Sequence, residues 1–144
     1  MAKTRRFPTH HLTIALQTYQ MRALFPQFKA VANRHDWALW TGTLRPTLLS
    51  DTYTVEIEYH LPAPPRVRVL EPVLQARADQ PKIPHTFTEN KLCLYTPGQW
   101  NSQMVIARTI VPWTSTWLYF YEVWRVTGEW VGGGVHPGEF YGEK

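Results

Sequence analysis

The sequence contains only one cysteine, and this and other absences narrow the class of protein. Cys93 cannot form an internal disulfide. Met1–Arg6 are followed by Phe-Pro-Thr-His-His instead of an apolar export segment, and no apolar run approaches the roughly 18 residues that a membrane span needs. These absences predict a reduced, cytoplasmic protein that has no membrane partner.

Motifs for cofactors and for nucleic acid are also missing. The sequence has no glycine-rich nucleotide-binding loop, and His10 and His11 lack partners at metal-ligand spacing, so neither a cofactor nor a zinc site is expected. The net charge of +4 comes from Lys and Arg residues that are scattered over the chain. Scattered charge is typical of a solvated surface, so a nucleic-acid partner is not expected.

Apolar residues are present in the amount that one folded domain needs. The 144 residues are 44% hydrophobic and 14% aromatic, which is ample material for one core. We therefore predict a single domain over residues 1–144. Within it, the Gly132-Gly133-Gly134 run predicts that residues 131–144 form a flexible tail.

The first predicted element is an amphipathic helix. Thr9 is a suitable N-cap, the helical spacing continues to about Leu24, and Pro26 ends the helix. The apolar side of this helix is predicted to contain Leu12, Leu16, Tyr19 and Ala23.

Two strands are predicted next. From Phe28 the hydrophobic period falls to two, and the polar run Asn33–Asp36 is typical of a turn. A second strand is predicted over Trp37–Leu44, where Gly42 indicates a bulge or a close approach of another backbone.

The pattern of charges predicts the register of a second hairpin. Tyr53–Tyr59 alternates apolar residues with Thr and Glu, and the strand around Val67 alternates valine with arginine beyond a proline-rich turn over Pro62–Pro65. One antiparallel register pairs acid with base and apolar with apolar throughout, which stabilises a sheet. Its pairs are Glu58–Arg66, Glu56–Arg68, Ile57–Val67 and Val55–Val69.

The second half of the chain is predicted to end in helices. Residues 73–84 read as a loop and the cysteine segment as an irregular, extended connection. A helix is predicted from about Ser102 to Val111, broken by Pro112, and Thr114 or Ser115 is predicted to cap another. That last helix is predicted to bury Trp117, Tyr121 and Trp124 on one face and to end at Gly128.

These elements predict an α+β fold. An N-terminal helix precedes a four-stranded antiparallel meander, a cysteine-bearing crossover and the C-terminal helices.

The segment around the single thiol has a distinctive context. Cys93 lies between Leu92 and Leu94, eight positions after His85, and Trp100 follows a Pro-Gly turn. A lone cysteine in an unassigned protein is more often a buried structural residue than a nucleophile. The segment therefore admits both a packing role and a catalytic role for Cys93.

The order of these pieces resembles that of the ubiquitin-conjugating enzymes. The pieces that match this family are residues 53–59, 62–65 and 67–69, His85, Cys93-Leu94 and Trp100. The chain is more similar to the bacterial members encoded in CBASS anti-phage operons beside cyclic-oligonucleotide synthases (CD-NTases). That similarity lies in Ile110–Trp113, Trp117-Leu118, Glu122-x-Trp124 and Thr127-Gly128-x-Trp130, and the whole resemblance covers about residues 10–130.

The resemblance implies a conjugating enzyme whose thiol is Cys93. Cys93 would form a thioester with the C-terminus of a partner CD-NTase, which would then be passed to an acceptor lysine or held primed. His85 would support the reaction by bracing the loop more than by proton transfer. Trp100 would either flank the thiol and contribute to binding or pack the crossover on the core.

One departure from the family pattern concerns an asparagine. His85 is followed by Thr86-Phe87 instead of Pro-Asn, so the family's oxyanion-stabilising or loop-stabilising asparagine is absent. Asn90 is our candidate for that role, and Asn101 or backbone amides are alternatives. Glu89 is a candidate base for the attacking lysine.

Other functions remain open from the sequence. A non-catalytic binding module of the same fold would grip the CD-NTase without chemistry. A cysteine hydrolase would need Cys93 and His85 in contact, and a nucleic-acid binder would use the basic charge.

Overall fold

The computed structural model describes residues 10–133, in which a helix, an antiparallel sheet and a second helix follow one another. The four strands pair in chain order, β1-β2-β3-β4, so the predicted meander is confirmed. The predicted α+β class is confirmed with it. The elements are α1 (Ile14–Leu24), β1 (Lys29–Asn33), β2 (Trp37–Leu44), β3 (Tyr53–His60), β4 (Arg66–Glu71) and α2 (Ile110–Thr127), with short 3-10 turns at Thr88–Asn90 and Ile106–Arg108.

The predicted register of the β3–β4 hairpin is confirmed at every pair. Glu58 lies opposite Arg66 and Glu56 opposite Arg68, with the two apolar pairs between and beside them. The carboxylate of Glu56 accepts a hydrogen bond from Arg68 at 2.7 Å. Alternating charge and hydrophobicity thus determined this register, because a slip by one residue would turn every apolar side chain outward.

The close approach predicted at Gly42 is also confirmed. A Cβ atom there would lie 2.7 Å from Cα of Phe28 and would overlap its ring. The register shift in this part of the sheet lies in β1, between Ala30 and Ala32. Gly42 therefore lets the buried Phe28 side chain lie directly against β2.

The predicted apolar side of α1 is wrong. The residues that α1 buries are Ile14, Gln17 and Met21, whereas Tyr19 is 66% exposed. Gln17 explains the difference, because its amide donates to the carbonyl of Met104 and accepts the N–H of Ile106, both at 2.9 Å. A buried glutamine, bonded through both its amide nitrogen and its amide oxygen, thus occupies the buried face of α1, for which only apolar residues were predicted.

The start of α1 is better defined than the sequence suggested. The helix begins at Ile14, and its N-cap is Thr13, whose hydroxyl accepts the N–H of Leu16 at 3.1 Å. The predicted cap, Thr9, lies outside the described residues.

The prediction of two helices separated by Pro112 is wrong. One helix, α2, begins at Ile110, so Pro112 lies in its first turn, where a missing N–H breaks no helical hydrogen bond. Thr114, a predicted cap, lies inside the helix and donates to the carbonyl of Ile110 at 2.7 Å. Within the helix that was predicted to start at about Ser102, residues 102–108 form only the short 3-10 turn at Ile106–Arg108.

The predicted face and end of α2 are confirmed. Trp117, Tyr121 and Trp124 are buried. The helix ends at Gly128, which has a φ of 81° and donates its N–H to the carbonyl of Trp124 at 2.8 Å. Glycine adopts this left-handed conformation without the steric cost of a Cβ atom.

The core joins the sheet, both helices and the long connection between β4 and α2. Residues 72–109 make this connection, and residues 73–84 contain neither helix nor strand, as predicted. Trp100 packs from the connection against Tyr59 of β3, with ring centroids 5.7 Å apart. None of the helices in the described part of the chain is long and apolar enough to cross a membrane.

Candidate active site

His85 and Cys93 lie opposite each other in a short hairpin within the long connection. The N–H of Cys93 donates to the carbonyl of His85 at 2.9 Å, and the N–H of Phe87 donates to the carbonyl of Lys91 at 2.7 Å. Thr86 and Leu92 form an antiparallel bridge between these two rungs. The eight-residue spacing from His85 to Cys93 is therefore the length of one tight hairpin.

This hairpin is attached to both the sheet and α2. The N–H of Leu92 donates to the carbonyl of Val67 in β4 at 2.9 Å, and the indole N–H of Trp117 donates to the carbonyl of His85 at 3.0 Å. His85 has a φ of 52°, a left-handed conformation that is uncommon outside glycine. The carbonyl of His85 accepts hydrogen bonds from the N–H of Cys93 and from the indole of Trp117. These two bonds hold the residue in its strained conformation.

Cys93 is nearly covered in this structure. Its side chain is 7% exposed, and its Sγ lies 3.6 Å from the carbonyl oxygen of Tyr95, which accepts the thiol proton. Burial raises the pKa of the Cys93 thiol from 9.0 to about 11, and a backbone hydrogen bond at Tyr95 offsets this only in part. The raised pKa keeps the resting site in the thiol form at neutral pH, whereas the thiolate is the nucleophilic form.

Cys93 nevertheless forms part of the wall of an open groove. The groove has a volume of about 290 Å³ and lies between the hairpin, the first half of α2 and the segment that follows α2. Among the described residues that line it there is no Asp, Glu, Lys or Arg. They are His85, Cys93, Leu94, Tyr95, Thr96, Gln99, Trp113, Thr116, Trp117, Phe120, Trp130, Gly132 and Gly133.

The segment after α2 closes one side of this groove. The ring of Trp130 lies 5.0 Å from that of His85 and 5.3 Å from that of Trp117, measured between centroids. Gly132 packs so closely against the side chain of Phe120 that a Cβ atom at position 132 would overlap the phenyl ring. The tail predicted for residues 131–144 stays a prediction, and from residue 134 onward it lies outside the described residues.

Sequence reasoning missed most of the groove walls. It predicted Trp117 only as a buried residue of the last helix, although Trp117 also lines the groove, together with Trp113 and Phe120. The available signal was their spacing of three and four residues together with Trp130, which follows the helix end at Gly128 by two positions.

The candidates for the missing asparagine and for the base are not among the described residues that line the groove. Asn90 is at the exposed tip of the hairpin, with a φ of 55°. Glu89 is also at this tip, where it pairs with Lys91 at 3.4 Å. Asn101 is exposed, and its side chain accepts the N–H of Gln103 at 2.9 Å. Their catalytic roles stay predictions.

Trp100 is buried on the other side of the cysteine segment. Its indole N–H donates to the hydroxyl of Thr109 at 3.2 Å, and its ring packs against Tyr59. It lines a second cavity, of about 680 Å³, which shares Leu94 and Tyr95 with the Cys93 groove. The packing role is thus visible, whereas a binding role for Trp100 stays a prediction.

Comparison with known proteins identifies the family. Comparison with the curated proteins gave no significant match. A family model described as "Type II CBASS E2 protein" matches residues 17–137, a range that includes the sheet, the hairpin with Cys93, and α2. The match covers most of the 144 residues. The chain therefore belongs to the type II CBASS E2 family.

Proposed function

We propose that this protein is a cysteine-dependent conjugating enzyme of the ubiquitin-conjugating type. Cys93 forms a thioester with the C-terminus of the CD-NTase of the same CBASS system. The enzyme then transfers that acyl group to an acceptor lysine or holds the CD-NTase primed, and so regulates anti-phage defence. Family membership gives the chain a role in CBASS defence, and the E2 name indicates conjugating activity in general.

The observation that carries this proposal is the position of Cys93. The single thiol of the chain lies in the wall of an open groove, in a hairpin fixed by hydrogen bonds to β4 and to α2. A thiol with only a packing role needs no groove beside it. An acyl group on another protein's chain end needs both the groove and a sulfur atom held at a defined place.

The fold forms part of the proposal. The order of helix, four-strand meander, cysteine-bearing connection and helix resembles that of ubiquitin-conjugating enzymes. Residues 72–109 would then be the crossover that carries the catalytic cysteine.

The reaction has two steps. In the first, Sγ of Cys93 attacks the activated carbonyl carbon of the donor and expels its leaving group. In the second, a lysine amine attacks the thioester and releases the thiol. Each step passes through an oxyanion, which a hydrogen-bond donor stabilises, typically by about 3–4 kcal/mol.

The other site residues have supporting roles in this scheme. His85 positions Cys93 through its carbonyl. Asn90 lies three residues before Cys93, which is roughly 10 Å along an extended strand. The geometry therefore favours a role for Asn90 in shaping the hairpin over a role as oxyanion donor. Because a thioester enzyme needs a reduced thiol, we also propose a cytoplasmic location.

Co-expression with the CD-NTase tests the function. We expect a covalent adduct of the two proteins that thiol reductant cleaves and that Cys93→Ala abolishes. Cys93→Ser should give an adduct that resists the reductant, because an oxygen ester does not exchange with thiols. Absence of any adduct with an active CD-NTase would contradict the proposal.

A non-catalytic binding module of the same fold is the second candidate. The nearly covered sulfur of Cys93 and its raised pKa favour it, because both keep the resting site in the thiol form. Equal phage protection by the wild-type and Cys93→Ala proteins would support this candidate and exclude the enzyme.

A further inference from the structure

We infer that the groove beside Cys93 selects donor tails that are uncharged and carry an apolar side chain immediately before the terminal residue. The inference rests on the proposed function and specifies its substrate. The terminal residue supplies the acyl carbon that meets Sγ. The residue before it lies in the aromatic part of the groove.

The groove wall has few charged groups. None of the described residues that line the groove is Asp, Glu, Lys or Arg, and the titratable groups among them are His85, Cys93 and Tyr95. A charged side chain that enters the groove loses water and meets no Asp, Glu, Lys or Arg among the described lining residues. Burial of an unpaired charge is costly, so acidic and basic tails are disfavoured alike.

Aromatic rings give the groove an apolar surface. The rings of Trp113, Trp117, Phe120 and Trp130 form the walls of a groove of about 290 Å³. An aliphatic or aromatic side chain that enters this space would displace water from the rings. The contact of apolar groups with these rings favours leucine or phenylalanine over glycine at that position of the tail.

The groove also offers polar groups to the backbone of a bound tail. Thr96, Gln99 and Thr116 line the groove and carry hydroxyl or amide groups. The Gln99 side chain accepts the N–H of Thr96 at 2.8 Å, which leaves its NH₂ group to donate to a bound chain. An extended tail needs such partners for its own N–H and C=O groups.

The acyl transfer from a thioester donor consumes no nucleotide, because the carbonyl carbon of the donor is already activated. The donor enters as a thioester, and Sγ of Cys93 bonds to its carbonyl carbon while the bond from that carbon to the leaving sulfur breaks. The proton of the Cys93 thiol ends on the leaving thiolate. The products are the acylated enzyme and a free thiol.

Synthetic peptide thioesters test this specificity with the intact protein. The peptides end in glycine activated as the thioester of a small thiol and are neutral elsewhere, and they differ only in the second residue from the end, which is Leu, Gly, Glu or Lys. The rate of Cys93 acylation is followed by intact-mass spectrometry and divided by the rate of each peptide with free cysteine. We expect the Leu peptide to react about tenfold faster than the Glu and Lys peptides, since one small apolar group is already worth about tenfold in a hydrophobic pocket.

Charge variants of the groove provide the matched control. Thr116 is exposed on α2 and lines the groove. Thr116→Lys should raise the rate of acylation by the Glu peptide, and Thr116→Glu should raise the rate of acylation by the Lys peptide. Each rate, taken relative to that of the Leu peptide, should rise by about fivefold or more. Ala23→Lys adds the same charge on the exposed side of α1, away from the groove, and should change no ratio.

The outcomes separate this inference from the proposed function. Acylation at equal rates by all four peptides would overturn the inference and leave the enzyme intact. Thr116 variants that leave the ratios unchanged would also overturn it. Absence of acylation by every peptide, in protein whose Cys93 still reacts with iodoacetamide, would remove the proposed function and the inference with it.

Discussion

His85 and Cys93 are joined by a main-chain hydrogen bond of 2.9 Å that closes the hairpin carrying the thiol. The same carbonyl of His85 accepts the indole N–H of Trp117 at 3.0 Å. The placement of the sulfur therefore depends on the backbone of His85, which is held at a φ of 52°. The contribution of the imidazole ring can be tested separately from that of the carbonyl.

Substitution of His85 should affect placement more than proton transfer. His85→Asn keeps the carbonyl and a side chain that tolerates a positive φ, whereas His85→Ala loses that tolerance and the contact with Trp130. We expect His85→Ala to lower the free energy of unfolding by about 1–3 kcal/mol and His85→Asn by less. Urea denaturation measures both.

The pH profile of acylation distinguishes the two roles of His85. If the residue only positions Cys93, both variants keep the wild-type pH dependence at a reduced rate. Loss, in both variants, of a rate inflection that the wild-type protein shows would instead indicate that the ring transfers a proton.

The raised pKa of Cys93 should appear in the stability of the protein at high pH. The unfolded chain releases this proton near pH 9.0, whereas the folded protein holds it to about pH 11. Unfolding therefore releases a proton in this interval, and rising pH favours the unfolded chain. The stability contributed by the buried thiol is fully present below pH 9 and is lost by about pH 11, which amounts to about 2–3 kcal/mol.

Comparison with Cys93→Ala isolates this titration from that of lysine and tyrosine. The difference in the free energy of unfolding between the two proteins should shrink from pH 8.5 to pH 10.5. A difference that stays constant would show that the thiol is not buried as described. Alkylation of Cys93 by iodoacetamide should rise about tenfold per pH unit from pH 7 to pH 10.

Gly132 should control the width of the groove. A methyl group at this position would overlap the ring of Phe120, so Gly132→Ala should displace the segment after α2 and slow acylation about tenfold. Gly132→Ala combined with Phe120→Leu should recover part of the rate, because the smaller side chain leaves space for the methyl group. A wild-type rate of acylation in the Gly132→Ala single variant would contradict the close approach of Gly132 to Phe120.

Gln17 should be more important for stability than its polarity suggests. Gln17→Leu leaves the carbonyl of Met104 and the buried N–H of Ile106 without these partners, and we expect a loss of about 2–4 kcal/mol in the free energy of unfolding. Gln20→Leu, on the same helix, should change it by less than about 0.5 kcal/mol. Equal effects of the two variants would show that the bonds of Gln17 contribute nothing.

The parts of the fold that could be predicted from sequence depend on local patterns. The β3–β4 register followed from alternating charges within one hairpin, and the end of α2 followed from Gly128. The buried face of α1 could not be predicted, because Gln17 finds its partners 87 and 89 residues away. The start of α2 was missed because a proline suits a first helical turn as well as it ends a helix.

The candidate site, like the fold, could be predicted from the sequence only in part. The family resemblance drew attention to His85 and Cys93, but their segment was predicted as an irregular, extended connection, and the hairpin that links them was not predicted. The groove could not be predicted, because three separate parts of the chain form it, among them the segment with Trp130 after α2. The absence of Asp, Glu, Lys and Arg from its described lining emerges only when those parts are assembled.

The most direct test of the central claim is to locate the covalent bond between the two proteins. The Cys93→Ser protein is purified from cells that co-express the CD-NTase, and the adduct is digested and sequenced by tandem mass spectrometry. The account predicts one peptide in which the C-terminal residue of the CD-NTase is esterified to residue 93. An adduct linked elsewhere, or no ester at this position, would contradict the account.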